Sequence, residues 1–295
     1  MPFTLSHPAA VLPFVRRPFS AAALVAGAVA PDLPYFARST PVPVSAQSWY
    51  EPFMNATTSH SLVGAVTVSL PYALLLYGFL LAARRPVGGL LPGVVGPGAA
   101  EPGAGGRDGG GPGAGGRSAP RPTAGVLLTR SGWVLLSLVI GIATHLVWDS
   151  FTHGDGYVVT HVPLLSAPAF GDLSWARLLQ HVSTVVGLVV IAVYLWRRRG
   201  SVGRGAARQG TAVRRTTRRG LWAVAAVAVV GAVLGTVRWW SVGSSSDGAG
   251  LTARDVVEGV LSDVATGAGA ALIAALLLYV AVWWAVRGVR AVAQG

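Results

Sequence analysis

Six histidines and two aspartates set at membrane depth carry most of the chemical information in this sequence. His145, Asp149 and His153 recur at intervals of four. On an α-helix that spacing drifts only about 40° per step, so the three side chains share one face. A carboxylate near mid-membrane costs about 2.5–3.5 kcal/mol on insertion scales, so Asp149 needs a partner. Imidazole and carboxylate on one face make either a ligand set for a metal ion or a polar seam that locks helices together. Separate segments supply the same groups: His7 near the start, Asp32 in Pro31-Asp32-Leu33-Pro34, His60 in Thr58-Ser59-His60-Ser61, and His181 in Gln180-His181-Val182-Ser183-Thr184.

The chain has no Cys, which excludes disulfides, thiolate nucleophiles and sulfur-ligated zinc. Four or more nitrogen and oxygen ligands suit Zn, Mn, Fe or Mg, with zinc favoured where imidazole dominates. A cation held by His and Asp with one open position brings the pKa of water toward neutrality, the basis of hydrolytic chemistry. Loops over 152–181, with Gly154-Asp155-Gly156 and Pro163, are placed to cover such a site. No nucleophilic Ser motif, phosphate-binding Gly loop or dinucleotide fingerprint occurs, and the Gly-rich stretch has neither the flanking strand nor the Lys those motifs need.

The elements that must position these groups are apolar. With 295 residues, 52% hydrophobic and 12% charged, and a mean hydropathy of +0.56, the chain reads as lipid-facing. Spans are expected over 62–82, 132–151, 182–196, 220–237 and 264–286, with Pro71 kinking the first. The apolar stretches 3–15 and 19–33 are too short to cross and form an N-terminal pair. Over half of residues 86–125 are Gly or Pro, a composition with little to bury. The expected fold is all-α: a polytopic helical membrane protein with five transmembrane helices plus a short N-terminal helical pair. Its parts are 1–83 (the pair and first span), a disordered linker over 84–131, the spans bearing the His/Asp motif over 132–200, and a basic loop with two C-terminal spans over 201–295.

All 23 basic residues are Arg, and their placement gives a topology. If loops alternate sides, the turn at Arg16-Arg17, the linker, the 197–219 loop and the C-terminal tail share one side. That side holds 19 Arg against two acids, Glu101 and Asp108, whereas the other holds four Arg and seven acids. By the positive-inside rule the Arg-rich loops and C-terminus are cytoplasmic, in a bacterial inner membrane. Topology thereby accounts for the formal charge of +12. With no aromatic residues interleaved among the Arg, nucleic acid is not an expected partner. The bilayer is the expected partner, with anionic lipid at the 197–219 loop; no pattern indicates an oligomeric state. The same topology brings Asp32, His60, His145, Asp149, His153 and His181 to the outer membrane face. His7 joins them if the first two segments form a hairpin turning at Arg16-Arg17.

The stretches Met1-Pro2-Phe3-Thr4-Leu5-Ser6-His7-Pro8, Pro31-Asp32, Ser59-His60-Ser61, Thr144-His145-Leu146-Val147-Trp148-Asp149-Ser150-Phe151-Thr152-His153 and Gln180-His181-Val182-Ser183-Thr184 closely resemble a bacterial family of integral-membrane proteins, a domain of unknown function. The resemblance covers most of residues 1–200 apart from the linker. More distantly, the order His, Pro-Asp, Ser-His-Ser and His-x3-Asp is similar to bacterial membrane-bound metal-dependent hydrolases. That similarity implies His7, Asp32, His60, His145 and Asp149 as metal or catalytic residues. Those hydrolases tend to carry further acidic and basic residues where this chain has Leu33-Pro34-Tyr35 and Thr57-Thr58.

From residues and resemblance together, His7, His60, His145 and Asp149 are expected to hold a divalent metal, zinc foremost. Asp32, His153 and His181 are expected to serve proton transfer or substrate binding, with exchange between the two groups open. The expected activity is metal-dependent hydrolysis of an amphiphilic substrate, such as a phospholipid or lipid-linked phosphate, at the outer membrane interface. Two other readings stand beside it: a transporter or proton relay in which the His/Asp set titrates, and a non-catalytic membrane scaffold.

Overall fold

Small residues let two helices of this chain touch backbone to backbone, and the rest of the bundle is arranged around that contact. The structure, a computed structural model, describes residues 4–37, 43–45, 47–90, 123–206, 211–243 and 253–293. In chain order its elements are α1 (Pro8–Val11), α2 (Ala21–Val29), α3 (Leu33–Ala37), α4 (Glu51–Met54), α5 (Ala56–Ser59), α6 (Leu62–Gly64), α7 (Leu70–Leu90), α8 (Ala124–Thr152), α9 (Tyr157–His161), α10 (Pro163–Ser166), β1 (Pro168–Phe170), β2 (Leu173–Ser174), α11 (Trp175–Ala206), α12 (Thr211–Gly243) and α13 (Ala253–Val292). Tight turns of 3-10 helix at Thr4–Ser6, Leu12–Phe14 and Ala30–Asp32 and a wide π turn at Ala65–Ser69 join some of them.

Five segments, Leu62–Gly88, Ala124–His161, Trp175–Arg197, Arg218–Val237 and Val256–Val292, are long and apolar enough to cross a membrane. Leu75, Leu128, Val185, Trp222 and Leu278 stand exposed on them, a distribution that needs hydrocarbon rather than water as the surrounding medium. The chain is a helical, multi-pass membrane protein. Helices outrun the apolar stretches: α7 continues to Leu90 and α8 begins at Ala124, so both ends of the expected 84–131 linker are helical. Its centre, residues 91–122, lies outside the described residues. Likewise α11 runs to Ala206 and α12 starts at Thr211, so most of the Arg-rich 197–219 stretch is helix rather than loop. Arg has high helix propensity, which favours this extension.

The first two short segments fold as the hairpin that would recruit His7. Its turn is held by Arg16 N–H to Phe14 O (2.7 Å) and Phe19 N–H to Arg16 O (3.0 Å). Ser20 caps α2, accepting from Ala23 N–H at 3.4 Å, and its own N–H donates to Ser137 Oγ of α8 at 3.1 Å. Ala23, Ala26, Ala28 and Ala30 are fully buried. A Cβ on Gly27 would lie 2.2 Å from Leu138 O, and one on Gly141 would lie 2.4 Å from Leu24 O. Only glycine at both positions permits this approach of α2 to α8.

Pro71 brings no N–H to the carbonyl four residues back, and the expected kink takes the form of the π turn just ahead of it. That turn aims Ser69 Oγ at Ser59 O (2.8 Å). Between α10 and α11 a two-stranded hairpin turns through Gly171-Asp172, with Gly171 in the left-handed region at φ +53°. The C-terminal pair packs through glycine too: a Cβ on Gly235 would lie 2.1 Å from Asp263 O. Tyr279 Oη donates to Pro86 O (3.0 Å) and Trp284 Nε1 to Ala82 O (3.1 Å), joining α13 to α7.

Gly141→Leu is therefore expected to separate α2 from α8, at a cost of about 1–3 kcal/mol or more. Gly132→Ala, on the same helix where a Cβ meets nothing within 4 Å, should be neutral or gain up to about 1 kcal/mol. Thermal unfolding of the two variants in detergent compares them directly; equal melting temperatures would show that the Gly27–Gly141 contact is not constraining.

Candidate metal centre

Four chain segments deliver imidazole and carboxylate to one buried point. Asp32 closes the 3-10 turn that ends the N-terminal hairpin, His60 follows α5, and His145 and Asp149 lie one turn apart near the end of α8. His7, from the other arm of the hairpin, stacks on His145 with ring centroids 3.9 Å apart. His7, Asp32, His145 and Asp149 are all buried, and His60 is partly so.

Local structure explains how each side chain is aimed. Asn55 caps α5 by accepting from Thr57 N–H (3.0 Å), and Ser61 caps α6 by accepting from Gly64 N–H (2.9 Å), so the Ser-His-Ser stretch forms the corner between two helices. Ser59 is not a cap. Its hydroxyl, fully buried, lies 2.7 Å from Pro31 O and 2.9 Å from Ala56 O, tying the segment of His60 to that of Asp32. After α8, His153 N–H donates to Asp149 O (3.0 Å) and Gly156 N–H to His153 O (2.9 Å). A Cβ on Gly156 would lie 2.6 Å from Ser150 O, so the chain can fold back there only with glycine.

His60 and His145 both have their ring nitrogens sorted by carbonyl groups. His60 Nδ1 is 2.7 Å from Ala56 O and His145 Nδ1 is 2.8 Å from Ala28 O. A carbonyl only accepts, so each Nδ1 carries the hydrogen and, in the neutral ring, each Nε2 presents a lone pair. Those two Nε2 atoms face one another at 3.2 Å. Asp149 Oδ2 lies 3.1 Å from each, and Asp32 Oδ1 lies 3.6 Å from His60 Nε2 and 3.5 Å from His145 Nε2. One ligand atom from each of Asp32, His60, His145 and Asp149 falls within 4.8 Å of every other. Ligands at about 2.0–2.1 Å from a tetrahedral cation are separated by about 3.3–3.4 Å. The five edges that involve His60 or His145, at 3.1–3.6 Å, bracket that value, and the carboxylate–carboxylate edge lies within 4.8 Å, so these four residues could hold a metal ion.

Four lone-pair-bearing groups pointed at one spot repel unless a positive charge lies among them. Without a cation, protons must supply it. Burial pulls the His60 imidazole down, but hydrogen bonding to Asp149 and Asp32 outweighs it and raises the ring to about 9. For His7, burial leads and the nearby His145 adds to it, pushing the ring down to about 4.

The positions refine the expected site. Asp32, placed with the proton-transfer residues, stands in the four-residue group. His7, placed with the ligands, stands beside it, with Nε2 3.6 Å from Asp149 Oδ1. His153 also faces Asp149 Oδ1, through Nδ1 at 3.6 Å. His181 is half exposed, outside the four, and meets Glu258 of α13 at 3.7 Å. Glu258 also pairs with Arg177, and both partners were invisible as such because the pairing joins helices far apart in sequence. His60 and His153 keep 20% and 24% of their side chains exposed, so the open side of the cluster lies between them. Ser59 stands out in the sequence only within the Ser-His-Ser motif, where a serine's signal is that of a cap, and Ser69 carries no signal at all, so their positioning roles are not legible there.

Fold and cluster together define a helical membrane protein with a buried His/Asp centre built by its N-terminal hairpin, the corner after α5 and its second span. A family model, Domain of unknown function (DUF4184), matches residues 1–281, and the chain belongs to that family. The match extends past residue 200, so the C-terminal spans belong to the family's pattern as well. No curated protein and no solved structure matches the chain.

Two outcomes follow from this geometry. At pH 7, below about 9, His60 is protonated in the metal-free protein. A cation taking its Nε2 must displace that proton, so binding releases at least one proton per chain and tightens about tenfold per pH unit up to about 9. Calorimetry in buffers of different ionisation enthalpy counts the protons; zinc uptake without release would mean ligands outside this group. Ser59→Ala should leave the buried Pro31 carbonyl unpaired, costing about 1–3 kcal/mol, and weaken metal binding about 10–100-fold in an equilibrium dialysis titration.

Proposed function

We propose that this protein is a membrane-embedded, metal-dependent hydrolase acting on an amphiphilic ester, such as a phospholipid or lipid-linked phosphate. The observation that carries the reading is the facing pair of His Nε2 atoms, at 3.2 Å, with an oxygen of each of two buried carboxylates within 3.6 Å of both. A carbonyl at each Nδ1 orients both imidazoles so that their Nε2 atoms converge with the two carboxylates, the arrangement a shared cation requires once it displaces the bound protons. The ion we assign to Asp32, His60, His145 and Asp149 is divalent, with zinc favoured by the two imidazoles.

When bound, such an ion supplies a Lewis acid that acidifies water and neutralises charge developing on a phosphoryl or carbonyl oxygen. The protein's part is to exclude bulk water, fix the ligands and move a proton. Asp32 Oδ2 is buried and has no hydrogen-bond partner, which leaves it free to accept a hydrogen bond from the attacking water and orient it. In the hydrolysis the water oxygen bonds to the phosphorus or acyl carbon and the bond to the alcohol oxygen breaks. The proton given up ends on that alcohol, so one water is consumed per ester.

Amphiphilicity follows from depth and surroundings. The open edge by His60 continues into exposed Leu62 and Val63, and the edge by His153 follows exposed Trp148 and Phe151, so a substrate arriving there has apolar contacts on both flanks. Arg84 and Arg85 sit at the far end of the span that begins after His60, which supports a site on the outer face of a bacterial inner membrane with Arg-rich ends in the cytoplasm, against anionic lipid.

The test is metal content and ester hydrolysis of the detergent-purified full chain beside His145→Ala and Asp149→Ala variants. Wild type should retain zinc through desalting and the variants should lose it while remaining folded by circular dichroism. Release of alcohol or phosphate from phospholipid micelles should fall by on the order of 10³-fold in the variants. A metal-free wild type that moves protons into liposomes would replace the hydrolase with a relay, and one that does neither would leave a scaffold.

A further inference from the structure

Asp149 has two oxygens, and the four-residue centre uses only one. Oδ2 faces His60 and His145, whereas Oδ1 is buried and has no hydrogen-bond partner. Two further imidazole nitrogens point at Oδ1: His7 Nε2 and His153 Nδ1, each at 3.6 Å. Both are likewise buried atoms without a partner, and the His7 residue as a whole is only 4% exposed. At 3.6 Å neither nitrogen is hydrogen-bonded to the carboxylate, since such bonds run at about 2.7–3.2 Å. Two ligands of one cation with bonds of about 2.1 Å stand about 3.0–4.2 Å apart, and 3.6 Å falls inside that interval. Three buried, unpartnered atoms, a carboxylate oxygen and the two imidazole nitrogens facing it, are costly unless something joins them.

We propose that the site is binuclear: a second divalent cation lies between His7 Nε2, His153 Nδ1 and Asp149 Oδ1, with Asp149 bridging it to the first. The inference rests on the metal-centre reading above and extends it. Asp149 then acts as a shared ligand through both oxygens, and His7 and His153 are ligands rather than proton carriers. His153 keeps a quarter of its side chain exposed on the open side of the cluster, so the second position is the one a substrate reaches first. Two cations about 3.5–4 Å apart would supply charge to both the attacking and the leaving oxygen of an in-line displacement, chemistry that suits a phosphate ester. It also gives the N-terminal hairpin a chemical reason to return both its arms to one depth, because Asp32 serves the first position and His7 the second.

The experiment is metal counting on the full chain in detergent, loaded with zinc and desalted, with thermal unfolding as the check on folding. Wild type should hold about two ions per chain and a His7→Ala/His153→Ala double variant about one, with Asp149→Ala holding neither tightly. One ion in wild type overturns the second position and leaves the first intact; none overturns both. Two ions in the double variant would refute the assignment to these histidines. Should the double variant not fold, His153→Gln loaded with manganese serves instead. Wild type is expected to give the multiline paramagnetic resonance spectrum of a carboxylate-bridged pair and the variant the six-line spectrum of an isolated ion. A six-line wild-type spectrum at saturating manganese would end the proposal.

Discussion

Two carboxylates held together out of water repel each other and whatever lone pairs face them, and positive charge must be supplied among them for the bundle to exist. Asp32 and Asp149 are both at most 5% exposed, and neither has an Arg partner among the described residues; histidines are what surround them. Histidine is the one basic side chain that can answer either with a proton or with a coordinating lone pair. The cluster is thus at once the least comfortable part of the fold and the part with the most possible chemistry.

Backbone, rather than side chains, holds that cluster in register. Ala28 can present its carbonyl to His145 only because α2 rests on α8 at Gly27 and Gly141, one turn away from the imidazole. The same approach sets how deep the hairpin sits, and therefore where Asp32 emerges from α2. On the other side, Ser59 spans from Pro31 to Ala56 and Ser69 reaches back to the Ser59 carbonyl, so the π turn before Pro71 has a positional role. A regular α-helix there would rotate Ser69 away. Positioning hydroxyls and carbonyls around metal-binding imidazoles are the usual means of choosing which ring nitrogen is offered.

Much of this was legible in the sequence. Apolar runs ended by Arg located the five spans, because a bilayer demands length and composition that few other contexts reproduce. The His145–Asp149 interval announced a shared face, and the arithmetic of alternating loops brought His60 and Asp32 to the same end. What the sequence could not show is which oxygen of Asp149 meets which ring, since that depends on carbonyl positions set by helix contact. Hence Asp32 and His7 appear with exchanged neighbours, Asp32 among the four and His7 beside them. His181 went astray for a different reason: placing a residue at the right depth says nothing about azimuth around the bundle, and α11 turns it toward Glu258. Helix ends were misread where composition and propensity disagree, as in the Arg-rich stretch that continues α11 to Ala206.

The N-terminal hairpin shows why depth matters more than crossing. At about 1.5 Å per residue, the nine residues of α2 rise only about 13 Å, less than half of a hydrocarbon layer of about 30 Å. By turning at Arg16 and stopping at Pro31, the hairpin returns His7 and Asp32 to the level of Asp149, which itself lies only three residues before the end of α8. Ser20 and the buried alanines make the short helix stable at that depth, the cap satisfying its first amides and the small side chains admitting α8. A membrane protein that needed only to anchor itself would gain nothing from so short an insertion. One that must hold ionisable groups together at the end of α8 is served by a hairpin whose two arms both return there.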